Sequence, residues 1–438
     1  MPSPDYLGMT NTLTFPTSPA TAFQSPVPSE IDLTDTATSG GRPVEQRAES
    51  PAPTFPVTRH HFQLSDGHQV SALVAGSGVP FVLIHGFGAD ANLYSQPISR
   101  LAGMGFKVVA VDTAGHGDTA SLGRKALDMT AYSELLGRVL DELGIRKCIL
   151  AGHSMGGGIV AELAARQPER VISLFLLDAV VGEPWDRLAN AMRLCPPLLG
   201  ALGLASLVDG IATMPFTRDI RQTVQLTKLL TRTLAGGLRH PWQLAAPALS
   251  VLTSGPRAGD LDRVREAGVP TFVVHGDRDK VVPLATARDA AERTHADLIV
   301  VKGGPHCWLL NDPESFPAIV AELLDGRLGD AYHDTLQAAG LDPAWATEAE
   351  IADVFYQPGA LIRSLGGNPS FGPVDRPVLR LEWDTIPAPA RPGTAARCGR
   401  CRQKPITAAA TSPRTAPNTG TTGRTTTTGC RHVHRAQH

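Results

Sequence analysis

The chain has 438 residues, a formal net charge of −2 and 42% hydrophobic residues, enough apolar material for one large α/β unit with additions. The near-balanced charge excludes a polyanion-binding protein as a whole, so no nucleic-acid partner is expected. Cysteines at 148, 195, 307, 398, 401 and 430 form no short regular framework, which excludes a disulfide scaffold and fits reduced thiols.

Residues 1–56 are rich in Pro, Ser, Thr and Ala without periodicity, a composition that buries too little apolar surface to order itself, so a disordered tail is expected. Its start, Met1-Pro2-Ser3-Pro4-Asp5, lacks the positive and apolar stretches of a secretory signal, and a cytoplasmic location is expected. From Thr58 the pattern changes. His61-Phe62-Gln63-Leu64 and Gln69–Val74 flank Asp66-Gly67, which predicts a β-hairpin.

Short apolar runs follow at Phe81–His85, Lys107–Val111, Cys148–Gly152, Val171–Asp178, Thr271–His275 and Asp297–Val301, separated by helical patterns such as Thr130–Leu143. The alternation predicts an α/β fold with a doubly wound, mostly parallel sheet, its strands apolar throughout because helices cover both faces. Between about 183 and 266 the rhythm gives way to helices without strands, which predicts a cap inserted into a catalytic domain spanning 57–327. The most apolar piece there, Leu194–Thr213, is interrupted by Pro196-Pro197, glycines and Asp209, so it predicts a buried cap helix and no membrane span.

Residues 328–386 form an extension without an assigned role, with a helix expected at Thr347–Tyr356 and a strand within Pro373–Trp383. Residues 387–438 are a basic, low-complexity tail with no acid after Asp384. Cys398, Cys401, Cys430, His432 and His434 are ligand types that suit zinc, but a Thr-rich stretch separates the two clusters, so an unstructured tail is expected and no metal or cofactor.

The chemistry centres on Gly152-His153-Ser154-Met155-Gly156, between the apolar run Cys148–Ala151 and a helical pattern from Gly157. A serine on a sharp strand-to-helix turn leaves no room for side chains two residues before and after it, hence glycine at both. Its hydroxyl is a poor nucleophile at neutral pH and needs a histidine base, itself oriented by a carboxylate. Parallel strands bring their carboxyl ends to one edge, so the partners are sought just behind strands.

Asp279, in the loop after Thr271–Val274, is the favoured acid, with Asp277 and Asp178 as alternatives. His306, in Gly303-Gly304-Pro305-His306-Cys307-Trp308, is the favoured base. His295 precedes its strand and belongs to the opposite edge, while His153 adjoins the serine and cannot curl back onto it. His153, His275 and His116 are read as satisfying local hydrogen bonds, and Cys307 as a pocket-lining or packing residue. Acyl transfer develops a negative oxygen, and the backbone N–H groups of Met155 and of Phe87, in the loop ending Leu83–Gly88, are placed to receive it.

His85-Gly86-Phe87-Gly88, Asp112-Thr113-Ala114-Gly115-His116-Gly117, Gly152–Gly156, Gly276–Pro283 and His306 occur in the order of the α/β-hydrolase superfamily, which residues 57 to 327 resemble. The family order of serine, acid and histidine is met by Ser154, Asp279 and His306, and the family often carries a cap where this one lies. The resemblance also implies that the turn Asp112–Gly117 shapes the pocket floor, although Asp118-Thr119 stands where a serine commonly follows it.

The expected activity is a cofactor-free serine hydrolase acting through an acyl-enzyme on a small to medium hydrophobic ester, with Leu198, Leu199, Leu202, Leu204, Leu207 and Met214 lining an apolar pocket. A carbon–carbon bond hydrolase or an acyltransferase on the same triad is the alternative. A ligand-binding or interaction protein with a vestigial triad is the alternative of another class.

Overall fold

The apolar runs become strands of a nine-stranded sheet in a computed structural model of the protein, which describes residues 53–388 apart from 124–126, 367–369, 372–380 and most of 196–240. In chain order the strands are β1 (Pro53–Thr54), β2 (Thr58–Gln63), β3 (Gln69–Ala75), β4 (Val79–Ile84), β5 (Phe106–Val111), β6 (Cys148–His153), β7 (Val171–Leu177), β8 (Thr271–Gly276), β9 (Asp297–Val301), β10 (Ser370–Phe371) and β11 (Trp383–Ile386). The large sheet runs β11-β9-β8-β7-β6-β4-β5-β3-β2, and β1 pairs separately with β10. Strands β5, β4, β6, β7, β8 and β9 are mutually parallel, while β3 and β2 on one side and β11 on the other are antiparallel additions.

Every residue of β4 through β8 is buried, as a sheet covered on both faces requires. Phe81, Phe106, Phe175, Phe272 and Phe316 interlock at its centre, with Phe81 and Phe106 edge to face at 5.4 Å and Phe175 and Phe272 stacked at 4.9 Å. Each such ring contributes roughly 2–3 kcal/mol by leaving water. The helix Met129–Leu143 covers one face with Tyr132, Leu136, Leu140 and Leu143, spaced three or four residues apart. Asp128 caps its first turn by accepting from Thr130 N at 3.0 Å.

Strand β4 has β5 on one side and β6 on the other, so the direction of winding reverses at β4. The loops after β4 and β6 therefore diverge and open a crevice at the carboxyl edge of the sheet. Behind β7 the described chain is helical, at Glu183–Leu194, Pro241–Thr253 and Ala258–Glu266. Asp186 on the first of these accepts from Arg257 N (2.9 Å) and Ala258 N (3.2 Å), capping the third. The buried Arg257 guanidinium reaches Glu162 at 2.8 Å on the helix Met155–Arg166, which ties this region to the sheet. Leu198 is 38% exposed. Leu199, Leu202, Leu204, Leu207 and Met214 lie outside the described residues.

Of the strand expected within Pro373–Trp383, residues 373–380 lie outside the described residues; a strand at Trp383–Ile386 covers the edge strand β9 antiparallel, Trp383 opposite Val301. Pro53 and Thr54, inside the expected tail, pair with Phe371 and Ser370. The helices Arg327–Ala338 and Glu348–Phe355 place Leu328, Leu336, Ile351 and Phe355 in the same core as the strands. Tyr356 bridges Ile145, Gln357 N donates to Gly144 O at 2.8 Å, and Lys107 Nζ donates to Leu365 O. These contacts fall at the amino ends of β5 and β6, the edge opposite the crevice. Residues 1–52 and 389–438, including Cys398, Cys401, Cys430, His432 and His434, lie outside the described residues.

Candidate active site

At the carboxyl end of β6 the chain turns on Ser154, whose φ of 53° and ψ of −117° lie where residues with a side chain are strained, at about 1–3 kcal/mol. The turn is held from three sides. Ser154 N donates to Leu177 O at 2.9 Å, and Ser154 O accepts from Gly157 N (2.9 Å) and Val180 N (3.2 Å). A Cβ on Gly152 would lie 2.3 Å from Gly156 O, and one on Gly156 would lie 2.3 Å from Ile84 O, so both glycines are required by backbone contact. Ser154 is the N-cap of the helix Met155–Arg166, and Met155 opens that helix. The first N–H groups of a helix have no acceptor within it and sit at the positive end of its dipole, which suits Met155 N–H to a developing anion.

His306 stands in the loop behind β9, with Nδ1 donating to Asp279 Oδ2 at 2.7 Å. A carboxylate only accepts, so the proton sits on Nδ1 and Nε2 is left as the basic nitrogen. Asp279 is held in turn by Val281 N and Val282 N, which donate to its Oδ1 at 2.7 and 2.8 Å. Burial raises its pKa, but the hydrogen bond and charge of His306, the charge of His275 and the Val282 N–H outweigh burial, and the carboxyl is held below its ordinary value.

The two other aspartates are occupied differently. Asp277 is exposed, and its Oδ1 accepts from Gly303 N at 2.7 Å, bracing the loop that carries His306. Asp178 is fully buried at a left-handed φ of 45°, and accepts from Gly276 N (2.9 Å) and from the Trp308 indole (2.6 Å). Burial and the neighbouring Asp279 charge push its pKa well up. Among the three aspartates, Asp279 is the one hydrogen-bonded to His306.

The loop after β4 is fixed from the adjacent β5 loop. Gly88 N donates to His116 Nε2 at 3.1 Å, and Thr113 N donates to His85 Nε2 at 2.9 Å. Burial lowers the pKa of His116 to about 3, so it stays a neutral acceptor. Phe87 packs edge-on to the His116 ring at 5.9 Å and is 45% exposed, its side chain facing away from the core. His275 bonds Val282 O through Nε2 at 3.0 Å, and His295 ends the helix Leu284–Thr294 before β9, at the opposite edge. Cys307 is a free thiol next to His306, and desolvation pushes its pKa up, which leaves it a poor nucleophile.

Asp178, Asp279 and His306 offer donor atoms within 4.8 Å of one another, the spacing of a metal site. Their atoms are already committed: His306 Nδ1 donates a hydrogen bond to Asp279, and backbone or indole N–H groups occupy the carboxyls. Proton-linked chemistry fits that donor set better than coordination.

Sequence reasoning missed Tyr94 and Trp308. Tyr94 OH lies 2.9 Å from His153 Nδ1, and Trp308 orients Asp178. The available signal was two amphipathic aromatics close behind the Gly86 and His306 loops, but their partners are 59 and 130 residues away in the chain.

The sheet order, the strained elbow and the loops gathered at one edge define an α/β hydrolase. Residues 81–323 match the alpha/beta hydrolase family, and the chain belongs to it. A provisionally designated non-heme haloperoxidase of Mycobacterium phage D29 is 38% identical over 271 residues, 60% of this chain and 94% of that protein. A dihydrolipoyllysine-residue acetyltransferase component of an acetoin cleaving system from Pseudomonas putida is 32% identical over 240 residues, 52% of this chain and 59% of that protein. A provisionally assigned lipase of Acinetobacter baumannii superposes with a TM-score of 0.50 at 18% identity, over 61% of this chain and 91% of its own, a likeness of fold alone. Among the described residues no helix is long and apolar enough to cross a membrane.

Proposed function

We propose that the protein is a serine hydrolase that cleaves a small to medium hydrophobic ester through an acyl-enzyme. Ser154 Oγ attacks the carbonyl while His306 Nε2 takes its proton, and Asp279 holds the resulting imidazolium. The N–H groups of Phe87 and Met155 bind the oxyanion, each contributing roughly 3–4 kcal/mol to the transition state. The C–O bond then breaks, the imidazolium returns its proton to the leaving alcohol, and water repeats the sequence on the acyl-enzyme.

The reading is carried by one observation: the His306–Asp279 pair at 2.7 Å stands beside a strained serine elbow, with the His306 ring 4.9 Å from the ring of His153, the residue before the nucleophile. The exposed Phe87 side chain and the apolar cap sequence favour a hydrophobic acyl group. The names carried by the phage and Pseudomonas relatives raise a second reading, in which an acceptor other than water takes the acyl group.

A panel of p-nitrophenyl esters of graded chain length, set against the matching anilides and a β-diketone, separates these. The expected result is ester turnover at least about tenfold faster than amide or carbon–carbon cleavage, reduced at least about a thousandfold by Ser154→Ala. Faster diketone cleavage, or product formed only when an alcohol, thiol or hydrogen peroxide is supplied as acceptor, contradicts the ester reading.

A further inference from the structure

Two buried side chains that take no part in bond making join the loops on which the reacting groups stand. His153 Nε2 lies 2.9 Å from the His306 carbonyl oxygen. A carbonyl only accepts, so the His153 proton is on Nε2 and Nδ1 presents a lone pair. Tyr94 OH, 2.9 Å from that Nδ1, must therefore donate to it. With its proton committed, the Tyr94 oxygen accepts from Gly86 N at 3.4 Å. The result is a chain of one polarity, from Gly86 N–H through the Tyr94 hydroxyl and the His153 ring to the His306 carbonyl.

Its fit is tight. A Cβ on Gly86 would lie 2.9 Å from His153 Nδ1 and 3.1 Å from Ser154 Cβ, so this loop rests directly on the elbow. Burial lowers the pKa of His153 to about 3 and raises that of Tyr94 well above its ordinary value. Neither group changes charge near neutral pH, and the direction of every bond in the chain is preserved.

We propose that Tyr94 and His153 are positioning residues that hold the backbone of the base, His306, in register with the oxyanion loop at Gly86 and Phe87, so that turnover depends on them and substrate binding does not. The inference rests on the triad reading above. His153 is bonded to Ser154, so the strap links nucleophile, base and oxyanion donors at their backbones, where a misplacement of about 1 Å can cost on the order of a hundredfold in rate.

The test uses the full chain with p-nitrophenyl butyrate, reading kcat, KM and thermal unfolding, and the rate of Ser154 phosphonylation by a fluorophosphonate. Tyr94→Phe removes one hydroxyl and keeps the ring. His153→Leu removes both hydrogen bonds, and His153→Gln restores one donor and one acceptor. The expected result for Tyr94→Phe is kcat lowered about tenfold or more, with KM within about twofold and the unfolding temperature within a few degrees of wild type. The expected result for His153→Gln is recovery of a large part of the loss seen in His153→Leu. Wild-type kcat in Tyr94→Phe, or a loss carried by KM, overturns the strap while leaving the triad standing. A wild-type protein that neither turns over ester nor takes phosphonate at Ser154 overturns both.

Discussion

A carboxylate orients a histidine base only while it keeps its charge, and the pKa values of the two buried aspartates behind His306 are shifted in opposite directions. Asp279 accepts from the imidazole and from two backbone N–H groups, and its pKa is held down. Asp178, beside it and fully buried, has its pKa driven up. The expected outcomes of conservative substitution diverge accordingly. Asp279→Asn loses about 10³–10⁴ in kcat, because the amide presents the wrong hydrogen-bonding group to His306 Nδ1. Asp178→Asn loses less than about tenfold, but replaces an acceptor of the Gly276 and Trp308 donors and costs about 1–3 kcal/mol of stability. Steady-state kinetics with thermal unfolding checks both, and the reverse order of kcat losses contradicts the assignment. Three aspartates behind strands were visible in the sequence. Asp279 was favoured among them as the acid; the contacts that hold each one, from Val281 N, Gly303 N and the Trp308 indole, were not legible, because they have no periodicity to read.

Elements were legible in proportion to how much of their patterning is local. The elbow needs glycine at two positions for contacts made within a few residues and with β4, and the helix Glu348–Phe355 announces itself through a capping box between Thr347 and Glu350. Strand β11 gives no such signal: it is exposed at three of four positions and exists because β9 offers an open edge. The sequence also left the extension without a role, whereas Leu328, Leu336, Ile351, Phe355 and Ile362 are buried in the common core. Losing even these side chains removes about 1.5–3 kcal/mol each, comparable in sum to the whole stability of a typical domain. A chain stopped at Gly326 is therefore expected to lose cooperative folding, and one stopped at Pro389 to unfold at the wild-type temperature with wild-type kcat. Circular dichroism melts of the two truncations check this, and a well-folded chain ending at Gly326 contradicts it.

At the scale of the whole molecule, a mostly parallel sheet with a reversal at β4 gathers residues from six loops onto one edge, and the C-terminal extension braces the other. Apolar runs alternating with helices were enough to foresee that sheet. The pairing of a C-terminal strand with β9 and that of Pro53–Thr54 with Ser370–Phe371 depend on partners far apart in the chain and were not foreseen. The account stands on Ser154 being a nucleophile activated by His306 and Asp279. Stoichiometric reaction of the folded protein with a fluorophosphonate, followed by peptide mass mapping, tests this most directly. The account predicts one adduct per chain, on Ser154, absent in Ser154→Ala and slowed at least about a hundredfold in His306→Ala. No adduct, or equal labelling of Ser154→Ala at another residue, would contradict it.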